Sequence, residues 1–197
     1  SQFDSIKSID GDLMYIREYP YRKATVSGAV LKPGTYIMAA GENLNDLISK
    51  VKESGADLGL AFDGDGDRVG LVTNKGKVIF PDKIMMILSK HILSSKKGSI
   101  IFDVKCSNAL PDIIKRNGGK PIMSPTGHFH IKNCIKEHNP LLAGEMSGHI
   151  FFNDKWYGFD DGHYSGARIV EIISKENRKI SEIEAELPIL YSTPELN

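Results

Sequence analysis

The 197-residue sequence has two cysteines, one tryptophan and no surplus of charge, since 25 Lys and Arg balance 25 Asp and Glu. Each shortage excludes something. Cys106 and Cys134 make no Cys-x-x-Cys pair, so they read as reduced, buried and inert thiols rather than a disulfide frame or a zinc site. Nucleic acid attracts strongly basic surfaces, and a neutral chain argues against it as a partner. No apolar run approaches the ~20 residues of a membrane-spanning helix, so no membrane partner is expected. Ser1-Gln2-Phe3-Asp4-Ser5 has the pattern of neither a signal peptide nor a transit peptide, which predicts a cytoplasmic protein. Repeats and low-complexity segments are missing as well. What remains, 41% hydrophobic and 25% charged, is an ordinary globular composition for one good-sized domain or two compact ones.

Periodicity supplies the architecture. Leu44, Leu47, Ile48 and Val51 fall on one helical face and predict a helix over 42–53. Apolar runs at 58–62 and 69–72 predict two strands, and Asn74-Lys75-Gly76-Lys77 a hairpin turn into a third at 78–80. Pro81-Asp82 opens a second helix. Strands are then expected at 99–104, 120–123, 141–143 and 149–152, and helices at 110–117, 128–138, 164–174 and 180–187. Asp160-Asp161 would favour a helix N-terminus at that point. The alternation argues for a layered α/β domain over roughly 82–190 behind a smaller α/β piece. Nearer the start, Tyr15-Ile16, Ala24-Thr25-Val26 and Tyr36-Ile37-Met38 predict short strands.

The sharpest local signal is Asp63-Gly64-Asp65-Gly66-Asp67-Arg68, with three carboxylates at alternate positions between two apolar strands. Glycines let the backbone curl so that the three acids converge on one hard cation, and an oxygen-only donor set suits magnesium or calcium. An EF-hand fails on position, because Arg68 stands where that loop needs Gly and Asn74 where it needs Glu. The alternative is a solvated acidic turn, but three unpaired acids in five residues would repel one another. Arg68 beside them offers a donor to phosphate.

Two other clusters are polar and well placed. In Gly144-Glu145-Met146-Ser147-Gly148-His149, Glu145 and Ser147 lie two apart and on an extended segment would face one way, towards a polyol. His149 could add a general acid or base. Thr126-Gly127-His128 precedes a helix whose N-terminus favours anions, with His128 and Lys132 one turn apart. Taken singly, these are equally a polar turn and a solvent-facing His–Lys pair.

Together, Gly59–Val69, Phe102-Asp103-Val104-Lys105-Cys106, Thr126-Gly127-His128, Leu142–His149 and Phe159-Asp160-Asp161-Gly162 closely resemble the α-D-phosphohexomutases, over about residues 42–195. Met146 resembles their mannose/glucose branch. The resemblance implies a layered α/β/α mutase-type domain with a mixed sheet, preceded by a partial second α/β domain. It divides the chain into a metal-loop unit at 1–80 and a sugar-recognition unit at 81–197. It implies interconversion of hexose 1-phosphate and hexose 6-phosphate, with mannose or glucose phosphate as substrate, through a phosphoserine and a bisphosphate intermediate. Asp63, Asp65 and Asp67 map onto ligands of Mg2+, and Arg68 onto a substrate-facing arginine. Glu145 and Ser147 map onto sugar-hydroxyl contacts, and His149 onto a contact that can also transfer a proton. His128 and Lys132 join the catalytic and substrate-binding sets.

The sequence departs from that family in specific ways. The catalytic serine loop, of the type Thr-Ala-Ser-His-Asn-Pro, and the C-terminal phosphate loop are not in it, and His138-Asn139-Pro140 reads as a coincidental echo. Pro125 stands where relatives commonly have Lys, and Lys32–Gly41 replaces a proline-rich approach to the first helix. The expectation is a middle portion of a mutase, inactive alone and completed by the missing domains or a complementary chain. The alternative is a non-catalytic sugar-phosphate or metal-binding module, or a degenerate relative.

Overall fold

Residues 44–189 are described by the computed structural model, together with the backbone of four upstream strands: Asp4–Lys7 (β1), Leu13–Glu18 (β2), Tyr21–Val26 (β3) and Gly34–Met38 (β4). These pair antiparallel in the order β1-β2-β3-β4, and the three short strands expected there fall on β2, β3 and β4. The expected helix residues 42 and 43, the loop parts of the 32–41 stretch and everything after 189 lie outside the described residues.

The apolar stripe predicted for the first helix forms α1 (Leu44–Ser54) and buries Leu47 and Val51. It covers one face of a three-stranded antiparallel sheet, β5 (Leu58–Phe62), β6 (Val69–Thr73) and β7 (Val78–Ile79). Strand alternation divides β6: Val72 faces Leu47, Val51 and Ala56, while Val69 and Leu71 face the opposite core. The Thr73 hydroxyl accepts the backbone N–H groups of Lys75 and Lys77, and Gly76 takes the positive φ of 78° that the tight turn requires.

A third sheet has the order β11-β10-β8-β9. Central β8 (Ser99–Asp103) runs parallel to β9 (Lys120–Ser124) and β10 (Leu142–Gly144), and β11 (Ile150–Phe152) pairs antiparallel with β10. On one face Ile101, Ala143 and Phe151 pack against Ile131 of α4 (His128–His138). On the other, Ile100, Phe102, Leu142, Ile150 and Phe152 meet α2 (Pro81–Ser95), α3 (Ala109–Arg116) and α5 (Gly162–Glu176). This is the expected α/β/α layering with a mixed sheet. One buried cluster runs from Val69 and Ile79 through α2 and α5 to Leu187, so the β5–β7 sheet and the β8–β11 sheet share a continuous core. Among the described residues no helix is long and apolar enough to cross a membrane.

Local chemistry sets the ends of these elements. Asp161 is the N-cap of α5 and accepts from the Tyr164 N–H at 2.9 Å. Asn139 ends α4 in the left-handed conformation at φ 44°, which accounts for His138-Asn139-Pro140 as a helix stop rather than a catalytic loop. Glu184 of α6 (Ile180–Ala185) is 5% exposed and accepts from Lys77 and Lys83, whose contacts outweigh the burial that would raise its pKa and hold it low. Cys106 is buried and its thiol pKa is pushed up by burial and by Asp103, as an inert thiol requires, whereas Cys134 is only half-buried.

Arg168 is 5% exposed and makes a two-pronged pair with Asp154, both contacts 2.9 Å, beneath the stacked rings of Trp156 and Tyr164. Removing Asp154 leaves the buried guanidinium with Glu171, 3.1 Å from its Nε, and the Tyr164 hydroxyl but without its two-pronged partner. Asp154→Ala should therefore destabilise the chain by about 2–3 kcal/mol in urea unfolding, less than a fully stranded charge would cost, and a loss below about 1 kcal/mol, the level of an exposed pair, would show the pair to be unimportant.

Candidate active site

Loops that follow parallel strands gather at the carboxyl edge of the sheet, where α/β folds present ligand sites. Here the segment after β9 carries Thr126-Gly127-His128, and the β10–β11 connection carries Glu145–His149. The β5–β6 loop, from the other sheet, is fastened to them by backbone. Arg68 and His149 form an isolated antiparallel bridge, and the Val69 N–H donates to the Gly148 carbonyl at 3.3 Å. The Gly162 N–H, in the first turn of α5, donates to the Gly66 carbonyl at 3.0 Å. Gly66 has φ 78°, and a Cβ there would stand 2.4 Å from His163 Cε1.

One oxygen from each of Asp63, Asp65 and Asp67 lies within 4.8 Å of the others, a set that could hold a metal ion. The loop is not, however, three unpaired acids. Arg68 bends back, giving its backbone N–H to Asp63 Oδ1 at 3.2 Å and its Nε–H to Oδ2. Burial would raise the Asp63 pKa, but those bonds and the guanidinium charge outweigh it and bring it to about 2. Asp67 moves the other way: burial raises it and the Asp63 and Asp65 carboxylates add to that, against the pull of His149. Crowding of this kind is what a bound cation would relieve.

Beside the loop, the His128 and His149 rings meet edge to face with centroids 4.0 Å apart. Asp160 lies between them and Lys132: its Oδ2 is 3.2 Å from His149 Nδ1 and 3.4 Å from His128 Nε2, and its Oδ1 is 3.3 Å from Lys132 Nζ. Burial raises the Asp160 pKa less than its own backbone N–H and the Lys132 and His128 charges lower it. Asp67 Oδ2 is 3.4 Å from His149 Nδ1 and connects this cluster to the acidic loop. In the sequence the Asp160-Asp161 pair marks a helix start and belongs to the family-like Phe159–Gly162 segment, with no separate role for Asp160; Asp161 does cap α5, while Asp160 organises the histidines.

The Glu145–His149 segment departs from its expected shape. It is a turn, closed by Gly148 N–H to Glu145 O at 3.1 Å and Glu145 N–H to His149 O at 2.9 Å, with Gly148 at φ 101°. Glu145 and Ser147 therefore do not share an outward face. Ser147 is exposed and donates to Glu145 Oε2 at 3.0 Å, while Glu145 is 2% exposed and accepts the Gly127 N–H at 2.9 Å through Oε1. Asp103, fully buried at the end of β8, accepts from Thr126 Oγ1 at 3.0 Å and the Met146 N–H at 3.2 Å, so it pins both loops. Its position next to a strand end was the available sequence signal.

Residues 80–191 match the family model for phosphoglucomutase/phosphomannomutase, alpha/beta/alpha domain III, and residues 26–76 match the model for domain II. A phosphomannomutase/phosphoglucomutase of Pseudomonas putida is 55% identical over 157 residues, which are 79% of this chain and 34% of that protein. The chain belongs to the phosphoglucomutase/phosphomannomutase family.

A phosphoglucomutase of Neisseria gonorrhoeae is 50% identical over the same length of chain, again 34% of the relative. Among solved structures, a member of this family from Burkholderia thailandensis superposes with a TM-score of 0.74 at 48% identity, over 77% of this chain and 33% of that one. The chain thus spans about a third of the length of the relatives it matches. The domain II match reaches back to residue 26, well before the motifs become recognisable by eye.

Two outcomes test the geometry. Arg68→Met removes the guanidinium bond and charge but keeps the residue-68 backbone N–H on Asp63 Oδ1, so the Asp63 carboxyl should rise from about 2 towards its ordinary 3.8. In the unchanged chain a pKa below the unfolded value gives stability that is complete above that value and lost as pH falls through about 2. Carbon-13 NMR of the Asp63 carboxyl reads this shift, and an unmoved titration would show that Arg68 does not control it. Gly162→Ala places a Cβ 2.6 Å from the Arg68 carbonyl oxygen and 2.8 Å from that of Gly66. Because backbone cannot give cheaply, thermal unfolding should show a loss of about 1–3 kcal/mol.

Proposed function

We propose that this chain supplies the ion-binding and sugar-binding loops of a phosphomannomutase/phosphoglucomutase interconverting hexose 1-phosphate and hexose 6-phosphate. One observation carries the reading. Loops at 63–68, 126–128 and 145–149, with Asp160, converge on one place, and all lie within the residues matched by the domain II and III models. High identity to relatives named for this activity weighs against a degenerate relative or a binding module without catalysis. The units proposed are 1–80 for the ion-binding loop and 81–197 for sugar recognition, with the remaining domains as partners.

Asp63, Asp65 and Asp67 form an oxygen-only set that fits Mg2+, which when bound would neutralise charge on a transferring phosphoryl group. Arg68 is half exposed and can turn its guanidinium from Asp63 to a phosphate. His128 and Lys132 add donors beside the loop, aligned by Asp160. His149 faces Asp67 and Asp160 through Nδ1, which leaves Nε2 to exchange a proton with a sugar hydroxyl. Ser147 offers an exposed hydroxyl to the sugar, and Glu145 becomes an acceptor by releasing the Ser147 donor.

The test is a chimera in which the aligned third of the Pseudomonas putida relative is replaced by this chain. It should convert mannose 1-phosphate to mannose 6-phosphate, and Asp65→Asn should lower kcat by at least about 10²-fold, the scale of losing a main electrostatic stabiliser. A folded chimera without turnover overturns the proposal.

A further inference from the structure

The geometry points to a second metal site, for a borderline ion such as Zn2+, formed by Asp67, His128, His149 and Asp160. It differs in chemistry from the acidic loop, whose donors are all carboxylates: two imidazoles select a softer ion than magnesium.

Three observations carry it. First, each of the four side chains offers one ligand atom, and all four atoms lie within 4.8 Å of one another. Second, the spacings fit an ion better than a hydrogen bond. His149 Nδ1 stands 3.4 Å from Asp67 Oδ2 and 3.2 Å from Asp160 Oδ2, and His128 Nε2 stands 3.4 Å from Asp160 Oδ2. Charge-assisted N–H···O bonds are shorter, about 2.7–2.9 Å. Four ligands at about 2.0–2.1 Å from a tetrahedral zinc stand roughly 3.3 Å apart. Third, His149 Nδ1 is a buried nitrogen with no hydrogen-bond partner although two carboxylates face it, and Asp67 Oδ1 is likewise unsatisfied. An ion shared among the four would satisfy the nitrogen.

Access and charge are compatible with binding. The side chain of His128 is 39% exposed and that of Asp67 27%, so an ion can enter from solvent, while those of His149 and Asp160 are 12% and 10% exposed. Lys132 touches only the Oδ1 oxygen of Asp160, and Arg68 is engaged by Asp63, so the two carboxylate oxygens that face the imidazoles carry no competing close cation. Asp67 also belongs to the acidic set, so one carboxylate can bridge two ions, as in two-metal sites. An ion here would take His149 and His128 out of any proton transfer or phosphate binding, making a softer metal an inhibitor of the site that magnesium serves.

The experiment titrates the 197-residue chain with Zn2+ by calorimetry in millimolar Mg2+, which keeps the acidic loop supplied with its own ion. One Zn2+ should bind per chain. Asp65→Asn, which removes none of the four ligands, should change its affinity less than about two-fold, whereas His128→Gln and Asp160→Asn should each weaken it by at least about ten-fold. A readout on the unaltered chain removes dependence on the folding of the variants. Nitrogen-15 NMR should show two of the six histidine rings shifting on Zn2+ addition, and Co2+ in place of Zn2+ should give the strong visible band of tetrahedral coordination. No zinc binding, unmoved histidine resonances, or zinc binding that is lost in Asp65→Asn and kept in His128→Gln would each overturn the proposal.

Discussion

The short backbone seam between the β5–β6 loop and the β10–β11 turn holds the rest of the site together. Without the Arg68–His149 bridge and the Gly162 N–H to Gly66 contact, the acidic loop would belong to one sheet and the histidines to another. The seam needs close approach of main chains, and the glycines make that approach fit. Gly148 and Gly66 take left-handed φ, and Gly162 sits where any side chain would meet two carbonyl oxygens. Side-chain chemistry is then added to a frame whose positions are set by hydrogen bonds that carry no sequence preference beyond small size.

Charge within that frame is balanced locally. The net charge of the chain is zero, yet the site crowds Asp63, Asp65, Asp67 and Asp160 around Arg68, Lys132 and two histidines. Pairing pulls Asp63 and Asp160 down, while burial and the neighbouring Asp63 and Asp65 carboxylates push Asp67 up. The whole-chain charge therefore excluded a broad electrostatic partner without bearing on how strongly this one place attracts a phosphate or a cation.

Much of this was legible from the residues. Apolar spacing located α1 to α5 and the strands of the β5–β7 and β8–β11 sheets to within a few residues, because each element buries one face and periodicity reports burial directly. The Asp63–Arg68 segment was equally legible as a glycine-curled loop between two strands that brings three carboxylates together. The orientation of Glu145 was less legible: alternation would continue past the strand end, but Gly148 turns the chain there and the carboxylate is buried against Gly127. Asp160 was hidden by its neighbour: two adjacent acids before a helix have one capping role between them, and only the tertiary fold shows that Asp161 fills it. The pinning contacts of Asp103 and the Arg68–Asp63 pair were not legible, being contacts between segments or within a curled loop that linear spacing does not encode.

The shared core gives the family's two domain labels a restricted meaning here. Val69, Leu71 and Ile79 lie in the matched domain II or at its edge, yet they pack in one cluster with α2, α5 and Leu187. A break in the chain near residue 80 would leave those side chains facing water rather than free a finished module. The two labels therefore do not mark independent folding units. Exchanging one unit alone for that of a relative would have to carry matching halves of a single interior, so the Asp63–Arg68 loop and the Glu145–His149 turn stand on one common support.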